Sequence, residues 1–171
     1  RYKESGAWFW KTEENYMRSD WFNNLELAAA AGHGKFENGI VVQSYAENNS
    51  SADHYRDVTE ADISFQVYSA LAYGMKSIQY FTYDEHWDTS VGTTNCMIYN
   101  GQKTAIYDAV KNVNTEIKKI DHILLNYNWQ GTIGISKDDE DNIMDSVTAY
   151  TSPRIESYTA TNDAIIGCLK D

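Results

Sequence analysis

Two short runs carry side chains from which chemistry could be built. Gln43, Ser44 and Tyr45, with Glu47 close behind, bring an amide, a hydroxyl, a phenol and a carboxylate together. Tyr80, Phe81, Thr82 and Tyr83 lead into Asp84, Glu85 and His86, three ionisable groups beside the indole of Trp87. Polar and aromatic groups just past the end of a buried strand are how α/β enzymes place sites at the carboxyl edge of a parallel sheet. Tyrosine and tryptophan join an apolar ring to a polar tip, which suits sugar faces and wet interfaces. The competing reading is that the tyrosines line strands, for which they have an intrinsic preference.

Elements able to position these groups are legible on either side of them. Gly39 to Tyr45 contains the β-branched run Ile40, Val41, Val42, continuous rather than alternating, as expected of a strand buried on both faces of a parallel sheet. Thr59 and Asp62 have the spacing of a capping box, and Ile63, Val67 and Leu71 then recur every four residues, one stripe of a helix. Gly74 stands where that helix must stop, because a residue without a Cβ enters the left-handed conformation cheaply. Ser77 to Thr82 follows as a second strand. Thr104 caps a further helix in which Ile106, Val110, Val113, Ile117 and Ile120 form the clearest amphipathic pattern of the chain. An earlier helix, Trp21 to Ala31, has Ser19 or Asp20 as cap, Leu25, Ala28 and Ala29 as inward face, and Gly32, His33 and Gly34 as its end. Residues 20 to 120 thus read helix, strand, helix, strand, helix, the order of a parallel sheet with crossover helices.

The flanks have a different character. Residues 1 to 20, with Trp8, Phe9, Trp10 and Tyr16, read as a short strand or extended segment and a loop, either walling a ligand cleft or anchoring an irregular segment. The Asn-, Ser- and Asp-rich loop of residues 46 to 58 includes Asn48 and Asn49 in the glycosylation pattern. Asn100 and Gly101 mark a tight turn. Beyond a boundary near Asp121 to Tyr127, short strands are expected at Trp129 to Ile135, Asp145 to Thr151, Ile155 to Ala160 and Ala164 to Leu169. The acidic run Asp138 to Asp141 lacks the glycine and distal glutamate of a calcium hand and reads as a solvated hairpin tip. Cys96 and Cys168 match no metal-ligand spacing; buried free thiols are expected, with a disulfide as the alternative.

Composition narrows the function classes. A formal net charge of −11 with no basic patch argues against nucleic acid or an anionic membrane surface as partner. No apolar run reaches membrane-spanning length and no signal peptide opens the chain. The opening at Arg1 and the close at Asp171 read as those of a processed or cut-down chain, and 171 residues suit one medium domain, or a fragment with the start of another.

Thr59 to Tyr83, most densely Leu71 to Tyr83, resembles the last helix-strand unit of a (β/α)8 barrel of the β-galactosidase-like, family 42-like glycoside hydrolases. Asn100 to Thr104, Tyr107 and Val113 to Ile117 resemble the linker and closing helix after the eighth strand. Ala164 to Asp171 resembles the first strands of the β domain that follows such barrels. The resemblance implies an α/β fold: a partial TIM barrel, its last two strand-helix units, in residues 1–122, and the start of a β-sandwich-type accessory domain in 123–171. The two strands would be the seventh and eighth of a barrel that takes about 250 residues in full.

What it implies chemically is hydrolysis of O-glycosidic bonds by a retaining pair of carboxylates about 5 Å apart. The acid/base would precede this chain, and the nucleophile position at the end of the seventh strand holds Gln43, an amide unable to form the ester intermediate. Glu47, the nearest carboxylate, is then the candidate catalytic group, with Gln43, Tyr45, Tyr80, Tyr83, Glu85 and Trp87 around the sugar. The alternative is a non-catalytic carbohydrate-binding or structural module derived from such a barrel. The implied partners are a carbohydrate and the remaining part of the barrel or another chain of the enzyme. Neither metal nor cofactor is implied, and the setting would be outside the cell or on the surface of a carbohydrate-degrading bacterium. A small doubly wound domain unrelated to sugars is the remaining reading, and the chain lacks the glycine-rich phosphate loop it would carry.

Overall fold

The computed structural model describes residues 2–4, 7–12, 15–18, 20–47, 57–84, 93–94, 96–137 and 143–171, with the backbone alone for 2–18, 47, 93, 94 and 145. In chain order the elements begin with strands β1 (Tyr2–Glu4), β2 (Ala7–Thr12) and β3 (Asn15–Arg18) and helix α1 (Trp21–Gly32). Strands β4 (Gly39–Gln43) and β5 (Ala46–Glu47) precede helix α2 (Glu60–Ala72). Then come β6 (Ser77–Phe81), β7 (Thr93–Thr94), β8 (Ile98–Tyr99), β9 (Gln102–Lys103), α3 (Ala105–Ile117) and α4 (Asp121–Asn126). Strand β10 (Asn128–Ile135), a 3-10 turn (Ile143–Ser146) and β11 (Ala164–Lys170) close the order. The fold is mixed α/β with small sheets. No described helix is long and apolar enough to cross a membrane.

The chain divides into two compact units. One comprises Gly39–Tyr68 and Lys76–Leu125, the other Arg1–Asn38, Ser69–Met75 and Asn126–Asp171, so that α2 runs from the first into the second.

In the first of these units β4 and β6 pair in parallel over five positions, from Gly39 opposite Ser77 to Gln43 opposite Phe81. Parallel neighbours need a crossover, and α2 supplies it. Its start is the expected capping box: Thr59 Oγ1 accepts from the Asp62 N–H at 3.3 Å while Asp62 Oδ2 accepts from the Thr59 N–H at 2.9 Å. Ile63 and Val67 are fully buried and Leu71 nearly so, as their spacing requires. The N-cap of α3 is Thr104, whose hydroxyl accepts from the Ile106 N–H. Ile106, Val110 and Val113 are buried there, but Ile120 is exposed, because α3 ends at Ile117 and the stripe leaves its face. Asn100 and Gly101, both at positive φ, turn β8 back onto β9.

In the other unit the end of α2 meets an aromatic cluster. Gly74 has φ +74°, the Gly74 N–H bonds to Leu71 O and the Met75 N–H to Ala70 O, the two bonds of a Schellman stop. Tyr73, just before it, lies between Phe22 of α1 and Trp129 of β10, with ring centroids at 6.2 and 6.0 Å. Trp129 Nε1 donates to Thr132 Oγ1, which donates in turn to Ala72 O. β10 and β11 pair antiparallel with a bulge between Trp129 and Gly131. On β11, a Cβ at Gly167 would stand 2.5 Å from Ala72 O, so only glycine lets this strand approach α2 so closely.

Several sequence expectations are corrected. Strands β1, β2 and β3 form a three-stranded antiparallel sheet where one short strand or extended segment and a loop were expected. The strands expected at Asp145 to Thr151 and Ile155 to Ala160 are instead the end of the 3-10 turn and irregular chain. Short alternating runs of this kind pair only when a neighbour is in reach, and β10 takes β11 as its partner. Asp20 sits at the N-cap of α1 without a side-chain cap bond, and Ser19 lies outside the described residues.

Gly74 is the most exacting position of this frame: a Cβ there would lie 2.6 Å from Trp129 Cβ on backbone that L-residues rarely adopt. Gly74→Ala is expected to lower stability by about 2 kcal/mol or more, from the left-handed conformation and the overlap together. Urea unfolding of the two proteins measures it, and equal midpoints would refute the role given to this glycine.

Candidate functional site at the carboxyl ends of β4 and β6

The parallel register sorts the side chains of the two strands. Ile40, Val42, Ile78 and Tyr80 turn to one face, where Val42 is buried and the Tyr80 hydroxyl donates to Asn114 Oδ1 of α3 at 2.7 Å. Val41, Gln43, Gln79 and Phe81 turn to the other. That second face is open: Val41 is 59% and Phe81 49% exposed.

At the carboxyl ends the main chain is tightly held. The Ser44 N–H bonds to Phe81 O at 2.7 Å across the two strands. Gln66, on α2, accepts the Gln43 N–H at 2.8 Å through Oε1 and donates to Gln43 O at 3.2 Å through Nε2. Gln43 Nε2 donates to Tyr45 O at 2.9 Å, and the Tyr45 ring meets Phe81 edge-on with centroids 5.4 Å apart. Tyr83, 56% exposed, offers its carbonyl to the Ile98 N–H at 2.7 Å and so ties the chain after β6 to β8. Gln43 and the exposed Phe81 are therefore joined at the strand ends through Tyr45, which is itself buried, with the exposed Tyr83 following on the same chain.

The other residues proposed from the sequence fall elsewhere. Tyr80 is on the helix-covered face, away from Gln43, and anchors α3. Glu47 belongs to the two-residue strand β5, paired with Thr93 of β7, and its side chain lies outside the described residues. Glu85 and Trp87, with His86, also lie outside them. Among the described side chains of the two strand ends, Asp84 is the one carboxylate, exposed and joined by its backbone to Ile98. Among the described residues no three His, Cys, Asp or Glu come together as metal ligands. Cys96 and Cys168 are both free.

Sequence reasoning passed over Phe81 and Gln66. Alternation along the strand shows that only one of Tyr80 and Phe81 can share the face of Gln43, and the register with β4 makes it Phe81. Gln66 carries a subtler signal, a polar residue three positions after Ile63 and directly before Val67, inside the apolar stripe of α2. What this surface can do chemically is bind: a ring to stack on and an amide to exchange hydrogen bonds.

Burial of Tyr80 against α3, reinforced by the neighbouring Tyr68 and opposed by the bond to Asn114, pushes its phenol up to about 12. A raised folded-state value means that the native protein keeps this proton after the unfolded chain has lost it. The stabilisation from Tyr80 is thus complete below pH 10 and declines as pH rises from 10 towards 12. Burial, with the nearby Glu26, also raises the Tyr73 phenol, so ultraviolet titration should show more than one late-ionising tyrosine, and Tyr80→Phe should remove one of them; an unchanged titration curve would contradict this placement. The chain matches no model of a known protein family and no curated protein.

Proposed function

We propose that the chain is the closing part of a (β/α)8 glycoside hydrolase of the β-galactosidase-like, family 42-like type. On this reading β4 and β6 are the seventh and eighth barrel strands within residues 1–122, and residues 123–171 begin a β-sandwich-type accessory domain. The observation that carries it is the parallel pair β4 and β6, covered by helices on one face and open on the other, with Gln43, Tyr45 and Phe81 at its carboxyl end. Barrel strands bury one face under helices and turn the other to the barrel interior, where sites open at the carboxyl ends. The open face and free strand edges would be covered by the rest of the barrel, from the same polypeptide or another chain of the enzyme. The enzyme would work outside the cell or at its surface in a carbohydrate-degrading bacterium.

In the intact enzyme a retaining mechanism needs a general acid to protonate the leaving oxygen and a carboxylate to attack the anomeric carbon. The acid/base would come from the part preceding this chain. Gln43 stands where the nucleophile is expected, and its amide can bind a sugar hydroxyl but not attack; Glu47 is the proposed carboxylate. Phe81 joins Gln43, Tyr45, Tyr83, Glu85 and Trp87 as proposed sugar contacts, while Tyr80 acts behind them through α3.

A second reading is a carbohydrate-binding module without catalysis. It is favoured by Gln43 itself, an amide that already donates to Tyr45 O at 2.9 Å.

Aryl β-galactoside assays separate the two. The chain alone should not turn over, whereas a polypeptide extended upstream by the missing strand-helix units should, with Glu47→Gln lowering kcat by about a thousandfold. Turnover by the isolated chain would overturn the split site. Sugar binding without hydrolysis by the longer polypeptide would select the binding module.

A further inference from the structure

Among the described residues β4 has one strand neighbour, β6, and an outer edge that no strand pairs. In a parallel ladder each residue turns both main-chain groups to the same side, and successive residues alternate. Because Ser44 donates to Phe81 O, the N–H and C=O of Gln43 turn to the outer edge. There Gln66 takes both of them, accepting at 2.8 Å and donating at 3.2 Å. A primary amide offers an acceptor and a donor side by side, so one side chain does for Gln43 what a neighbouring strand does for a residue in a sheet interior. The pairing also settles which end of the Gln66 amide is oxygen, since an N–H needs an acceptor and a C=O a donor. Gln66 is itself steadied from behind, as its Nε2 also donates to Asp62 O at 3.2 Å, in the first turn of α2 where the Thr59 cap is formed.

We propose that Gln66 is the positioning residue of the mouth: its amide stands in for a strand at Gln43 alone and holds the end of β4, so that Gln43 and Phe81 present one surface to a sugar ring. The pinning rests on the hydrogen-bond geometry, and the ligand rests on the sugar reading given above. A consequence for the edge is that a further strand can pair with β4 before Gln43 but not at it, so the ladder stops where the binding surface begins.

Amide hydrogen exchange of the full chain by NMR tests the pinning. Gln66→Met keeps the length of the side chain without the amide, and Gln66→Glu keeps an acceptor for the Gln43 N–H. Exchange at Gln43 should speed up by about tenfold in Gln66→Met, the loss of one hydrogen bond, while Ser44 stays protected and Gln66→Glu retains protection at Gln43. Titration with methyl β-galactoside tests the ligand: the Gln43 side-chain amide and Phe81 ring signals should move in the parent chain, and binding should weaken by about tenfold in Gln66→Met. Unchanged protection of Gln43 in Gln66→Met, or an equal rise at Ser44, overturns the pinning whatever the sugar does. Parent signals that ignore the sugar, beside the expected exchange pattern, overturn the ligand and leave the pinning standing.

Discussion

Two strands that run the same way can be neighbours only if the chain is carried back between them, and in this protein α2 does that for β4 and β6. Much else depends on where that helix begins and ends. The Thr59 and Asp62 box fixes its start and the left-handed Gly74 its stop, and together they set its length of thirteen residues. Register then decides faces, since a shift of one residue would turn every side chain of β6 over. The same helix carries Gln66 to the end of β4 and delivers Tyr73 to the cluster of Phe22 and Trp129.

The asymmetry of the β4 and β6 pair follows from what lies against it. On one face Val42 is buried and Tyr80 donates a hydrogen bond to Asn114 of α3. Val41 and Phe81 face outward, an arrangement unusual for parallel strands, whose continuous apolar runs are normally buried on both sides. Exposed apolar surface of this kind marks an interaction site or a ligand groove. At its carboxyl end the exposed face carries Gln43 and Phe81, and the main chain beneath is held by Gln66 and by the Ser44 bond to Phe81.

A good part of the frame was legible because it rests on local physics. Capping by Thr59 and Thr104, the stop at Gly74, the turn at Asn100 and Gly101 and the buried stripes of α2 and α3 each depend on a few adjacent residues. The tail was less legible: β10 and β11 were readable, whereas the residues between them alternate like strands and yet form a 3-10 turn and irregular chain. Strand formation needs a partner, and which segment finds one is not a local property. The N-terminal meander was underestimated for the same reason.

At the strand ends, residue types drew attention to Gln43, Tyr45 and Tyr83 but not to Phe81 or Gln66. That Gln43, Tyr45 and Tyr83 stand at or just past the ends of two strands is a matter of order along the chain. Only the tertiary structure decided that Phe81 rather than Tyr80 shares the face of Gln43, because strand alternation has no absolute phase until a neighbour sets the register. Only it placed Gln66 against Gln43: a polar residue within the stripe of α2 is visible in the sequence, but its partner twenty-three positions away is set by the return of the helix over its strand.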